Sequence, residues 1–84
     1  MAEITMYTTA WCGYCRSAKQ LLEREELLYE EISVDDDPHF RQRMFEMSGR
    51  STVPQVVIDG EAIGGYQELA RLLASGELIA DVDV

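Results

Sequence analysis

Cysteine, histidine, tryptophan and proline are all scarce in this chain: two cysteines, one histidine, one tryptophan and two prolines in 84 residues. Each shortage excludes something. Two cysteines are too few for the disulfide framework of a small secreted domain. A single C-x-x-C and a lone His39 fall short of the four ligands of a structural zinc site. Bases are also few, seven against sixteen acids for a net charge of −9. That balance argues against nucleic acid or an anionic membrane as partner, since both require a basic surface. No apolar run approaches the ~20 residues that span a bilayer. The opening MAEITMYTT has no basic leader region and no long apolar stretch, so it reads as mature protein.

What is present is an ordinary globular balance, 46% hydrophobic and 27% charged residues. That suffices for one core, and the expectation is a single domain over residues 1–84, monomeric and cytoplasmic. Acids gather in EREELLYEEISVDDD (23–37), which reads as a solvated face.

Residues 3–9, EITMYTT, mix β-branched, aromatic and apolar side chains and predict a strand. From Tyr14 to about Glu26, Ala18, Leu21 and Leu22 recur at helical spacing. LLYEEISV (27–34) predicts a second strand, stopped by DDDP, where an aspartate before Pro38 starts a helix. That helix runs past Phe40, Met44, Phe45 and Met47, which are expected in the core, to a glycine cap at Gly49. The apolar run in PQVVID (54–59) predicts a strand covered on both faces. The DG pair at 59–60 turns it into a short strand near Ala62 and Ile63. Leu69, Leu72 and Leu73 mark a last helix ending near residues 75–76. In the tail ELIADVDV (77–84) Leu78 and Ile79 either pack or the segment frays. The fold class is therefore α/β: a small four-stranded mixed sheet with helices on both faces, in the order β-α-β-α-β-β-α.

The chemistry concentrates in TTAWCGYCRSAKQLL (8–22), where Cys12 and Cys15 straddle a strand-to-helix turn. A bridge between them closes too short a loop to staple a fold. Cys12 falls where unpaired amides and the helix dipole favour negative charge, hence the thiolate; Arg16, one turn on, adds to this. Cys15 lies inside the first turn, within reach of a mixed disulfide but more covered. The asymmetry makes Cys12 the attacking and Cys15 the resolving thiol. A metal site and a pair of inert thiols remain the competing readings of the C-x-x-C alone.

Three segments narrow the choice. YTTAWCGYC, SGRSTVPQVVIDG and IGGYQEL, in this order and over residues 3–75, resemble the dithiol glutaredoxins of the thioredoxin-like superfamily. The active-site pattern there is often C-P-Y-C, with Gly13 here in place of the proline. YTT-x-WCGYC is also similar to the motif of the mycoredoxins, which use mycothiol instead of glutathione.

The resemblance implies a cis peptide between Val53 and Pro54 in Thr52-Val53-Pro54, with the Val53 backbone offered to a substrate cysteine. It implies that backbone amides at Gly65, Tyr66 and Gln67 hold the γ-glutamyl carboxylate of glutathione. It places Arg41 on the glycine carboxylate of glutathione, with Tyr14 helping through its hydroxyl. Trp11 is expected as a partly exposed wall beside Cys12, and Arg50 as added positive charge on the active face. Two positions depart from the family. Gln67 stands where aspartate is common; its amide oxygen can accept a hydrogen bond but the charge-assisted part of the contact is lost, and the nearby Glu68 is not the expected replacement. Thr9 stands where many members carry lysine.

The activity so implied is glutathione-dependent thiol–disulfide exchange on disulfide-bonded or glutathionylated proteins. Glutathione is co-substrate and no cofactor is tightly bound. Two alternatives stand beside it. One keeps the chemistry but draws electrons from mycothiol or a thioredoxin reductase. The other is a dimer holding a [2Fe–2S] cluster through Cys12 and glutathione, eased by the small Gly13.

Overall fold

A computed structural model of the chain describes residues 3–35 and 37–76. Seven elements follow one another: β1 (Ile4–Thr8), α1 (Gly13–Arg24), β2 (Glu30–Ser33), α2 (Pro38–Ser48), β3 (Gln55–Ile58), β4 (Glu61–Gly64) and α3 (Tyr66–Ser75). The sheet order is β2-β1-β3-β4, with β1 parallel to β2 and antiparallel to β3, and β3 antiparallel to β4. This is the mixed sheet the pattern predicts. Residues 77–84, whose fate the pattern leaves open, lie outside the described residues.

The central strands β1 and β3 supply both faces, as their near-continuous burial requires. On one face Ile4, Met6 and Val56 meet Ala18 and Leu22 of α1 and Leu69 of α3. On the other, Tyr7 and Val57 meet Met44 of α2 and Val34. Leu22 is wholly buried, a burial that contributes about 2 kcal/mol.

Local chemistry sets the element ends. Asp37 caps α2, its Oδ1 accepting from His39 N at 3.0 Å and Phe40 N at 3.4 Å, and Pro38 opens the helix. Gly49 closes it with φ 74°. The hairpin turns on Asp59 (φ 52°) and Gly60 (φ 84°), the pair of positive φ values a two-residue turn of this hand needs. Asp59 then ties back to Glu3 through two hydrogen bonds, Asp59 N to Glu3 O at 2.8 Å and Glu3 N to Asp59 Oδ1 at 2.9 Å.

Two expectations need correction. The second strand begins at Glu30 rather than Leu27. Glu26 takes a left-handed conformation, φ 58°, and the Leu27 amide bonds back to Leu22 O at 2.9 Å. This is a helix stop of the kind glycine usually makes. It turns Leu27 onto the core beside α1 and leaves Leu28 exposed. On α2, Phe40 and Met44 pack as expected, but Phe45 is 51% exposed and Met47 is exposed too. Only one stripe of that helix faces the sheet.

Candidate active site

Cys12 is the N-cap of α1, with extended backbone angles (φ −129°, ψ 110°). Its Sγ accepts the Cys15 N–H at 3.1 Å, so one of the four free amide donors of the helix start points at sulfur. The thiol in turn lies 3.8 Å from the carbonyl oxygen of Val53, to which it donates. Val53 precedes Pro54 through a cis peptide bond. Cys12 is partly exposed and Cys15 buried, both as free thiols.

Cys15 is 1% exposed. Burial first, and then the hydrogen bond and charge of Cys12, push its thiol up from an ordinary 9.0 to about 12. The Thr9 backbone and the Lys19 ammonium pull the other way and lose. Lys19 is itself held at 3.0 Å by Glu31, which also accepts the Thr8 hydroxyl at 2.7 Å. The two sulfurs therefore differ in access, one open and one closed.

Beside Cys12 runs a groove of about 250 Å³. Tyr14, Thr52, Val53, Pro54, Gly65, Tyr66 and Gln67 all line it, together with Arg50, Gln55 and Glu68. The Tyr14 and Tyr66 rings face each other with centroids 5.8 Å apart. Arg41 is exposed on the first turn of α2 and is not among the lining residues. Trp11 is 95% exposed, a free-standing side chain rather than a wall. Arg16 borders a separate shallow depression with Gly13, Tyr14, Ser17 and Gln20. His39 is an exposed residue of α2 whose ring lies 5.3 Å from that of Phe40.

The glycine pair that opens α3 follows from close approach. A Cβ on Gly65 would meet the Pro54 carbonyl oxygen at 3.1 Å. Gly64 has φ 117°, and a Cβ there would lie 2.7 Å from Glu68 Cγ. The start of α3 thus abuts the cis turn with no room for side chains. Gln55 is the lining residue that sequence reasoning passes over. Its Nε2 donates to Thr52 O at 3.0 Å and Thr52 Oγ1 at 3.2 Å, tying the turn together from beneath. A glutamine inside an apolar, fully buried strand is the signal that marks it.

Residues 4–63 match the sequence profile of the glutaredoxins. The chain belongs to the glutaredoxin family. A glutaredoxin of Pseudomonas aeruginosa is 41% identical over 80 residues, which cover 95% of each chain. The solution structure of a glutaredoxin from Brucella melitensis superposes with a TM-score of 0.79 at 38% identity, over 92% of this chain and 84% of that one. A buckwheat glutaredoxin–glutathione complex superposes with a TM-score of 0.81 at 26% identity, over 92% of this chain and 73% of its own. With the family come the thioredoxin-like fold and the activity: the chain is a thiol–disulfide oxidoreductase of the glutaredoxin type. Among the described residues no helix is long and apolar enough to cross a membrane, and no three His, Cys, Asp or Glu side chains gather as a metal site.

Proposed function

We propose that the chain reduces glutathione mixed disulfides and protein disulfides with glutathione as reductant, in the cytoplasm and as a monomer. The observation that carries this reading is the groove. Seven of the residues expected to contact glutathione line one depression next to Cys12. The likeness to a glutaredoxin solved with glutathione supports it.

In this mechanism the Cys12 thiolate attacks the glutathione sulfur of a glutathionylated protein. The new bond joins Cys12 to glutathione, and the protein leaves as a thiolate that takes up a proton. A second glutathione thiolate attacks the bound glutathione sulfur, giving oxidised glutathione and restoring Cys12. Cys15 has no part in that route. With a protein disulfide, the Cys12 thiolate attacks one substrate sulfur, the substrate S–S bond breaks, and the other sulfur leaves as a thiolate that takes up a proton. Cys15 then loses its proton and attacks Cys12, expelling the substrate and closing the 12–15 bridge, which two glutathiones reopen. Glutaredoxin potentials near −200 to −230 mV allow the exchange to run in either direction.

Tyr14, Thr52, Val53, Pro54, Gly65, Tyr66 and Gln67 form the glutathione contacts in this reading. The groove carries Arg50 as its cation, near Glu68 at the start of α3; Arg41, outside the lining, is the residue this reading gives to the glycine carboxylate. The test is turnover of a glutathionylated peptide with glutathione and glutathione reductase, wild type against Cys15→Ser. Both proteins are expected to turn over. No turnover in either, from folded protein with a titratable Cys12, would overturn glutathione as the working thiol and point to mycothiol or a direct reductase.

A further inference from the structure

The groove holds one anionic side chain, Glu68, and that carboxylate is turned inward along the backbone. Its Oε1 accepts the Gly65 N–H at 2.8 Å, at the N-cap of α3. The Gly65 amide first, then the Glu68 amide, then Arg50 and Arg71 hold its carboxyl below the usual carboxylate range. The fold-back is built into the chain, because Gly64 leaves the space that Glu68 Cγ fills. The Gly65 amide, at the positive end of α3 where an incoming anion gains most, is therefore already taken by the protein's own carboxylate.

A second observation lies in the same groove. Gln55 is 1% exposed, and its Oε1 has no hydrogen-bond partner. The two bonds from Nε2 to Thr52 fix which way the amide faces. A buried acceptor left open is costly, and Gln55 is one of the residues that line the groove. With the Gly65 N–H held by Glu68, a ligand carboxylate finds that amide taken.

We propose that Glu68 is a specificity-determining residue: an internal carboxylate that competes with the carboxylate of the thiol for the amides at the start of α3. The inference rests on glutathione as the thiol. Removing the charge while keeping the cap's shape, by Glu68→Gln, should then favour anionic thiols selectively. The reaction to follow is reduction of the Cys12–Cys15 disulfide, quenched with acid and read by mass. A thiolate attacks Cys12 Sγ, the 12–15 bond breaks, and Cys15 leaves to take up a proton. The rate constant is measured with glutathione and with 2-mercaptoethanol, which has no carboxylate.

The expected result is that the ratio of the two rate constants, glutathione over 2-mercaptoethanol, rises two- to tenfold in Glu68→Gln. An unchanged ratio overturns the inference, and so does a lowered one, which would assign Glu68 to the ammonium of glutathione. Peptide turnover by the wild type separates the two levels. If glutathione supports that turnover and the ratio does not rise, only the role of Glu68 fails; if glutathione supports none, the reading beneath it fails.

Discussion

Iodoacetamide at about pH 8 should find one thiol in the native reduced chain and two in the unfolded one. Cys15 is 1% exposed, and its thiol stands at about 12 instead of an ordinary 9.0. Each pH unit is tenfold in thiolate, so at a given neutral pH Cys15 holds roughly a thousandfold less thiolate than an unperturbed cysteine. Alkylation tracks the thiolate, and burial slows the approach of the reagent further. Intact-mass spectrometry after a timed quench should show a single adduct on native protein, placed on Cys12 by peptide mapping. In Cys12→Ser the remaining thiol should stay unmodified over the same interval, because burial, the largest cause, does not depend on Cys12. Two adducts at comparable native rates, or ordinary labelling of Cys12→Ser, would refute the reasoning. The same shift has a thermodynamic face. The folded chain keeps the Cys15 proton at a pH where the unfolded chain has released it. Stability of the reduced form should therefore be intact below about pH 9 and fall as pH rises toward 12, read as a dropping urea midpoint. The bridged form, with no thiol to titrate, should fall less, keeping only the part from Tyr29, whose phenol burial and then Glu23 push up from 10.0 to about 12.

Two further outcomes can be checked by ordinary stability measurements. Glu26→Gly should stabilise the chain: relief of a left-handed residue is worth ~1–2 kcal/mol, the added freedom of glycine when unfolded returns ~0.5–1, and the remainder, ~0.5 kcal/mol, raises Tm by about 2–4 °C. Glu31 is held below the usual carboxylate range by the Thr8 hydroxyl first and then by Lys19; its contribution is present above the unfolded value near 4 and lost as pH falls through the lower folded one. Glu31→Gln should therefore flatten the acid limb of the urea-midpoint profile, and an unchanged limb would count against the Thr8–Glu31–Lys19 cluster as its source.

The parts of the molecule written in contiguous residues were legible without coordinates. Asp37, Pro38 and Gly49 bracket α2 because each acts on its own neighbouring amides. Asp59 and Gly60 define the hairpin for the same reason. The cysteine pair, the Thr52–Pro54 turn and the glycine pair each carry their meaning within one segment. Features made by meeting across the chain were not legible. The start of β2 depended on Glu26 doing what glycine normally does, and no residue type announces that. Phe45 and Met47 look like core residues until the sheet chooses which stripe of α2 to cover. Arg41 stays outside the groove lining, which its place on the first turn of α2 does not announce. Glu68 and Gln55 become informative only once a carboxylate is seen against an amide and an oxygen is seen with nothing.

The single tryptophan of the chain stands one residue before Cys12 and is 95% exposed. Its indole is free in solvent one residue away from the sulfur at which every bond of the reaction forms or breaks. The protein thus carries its own optical reporter. With no other tryptophan to dilute the signal and no dye to attach, emission from Trp11 should follow bridge closure, mixed-disulfide formation and partner release in real time.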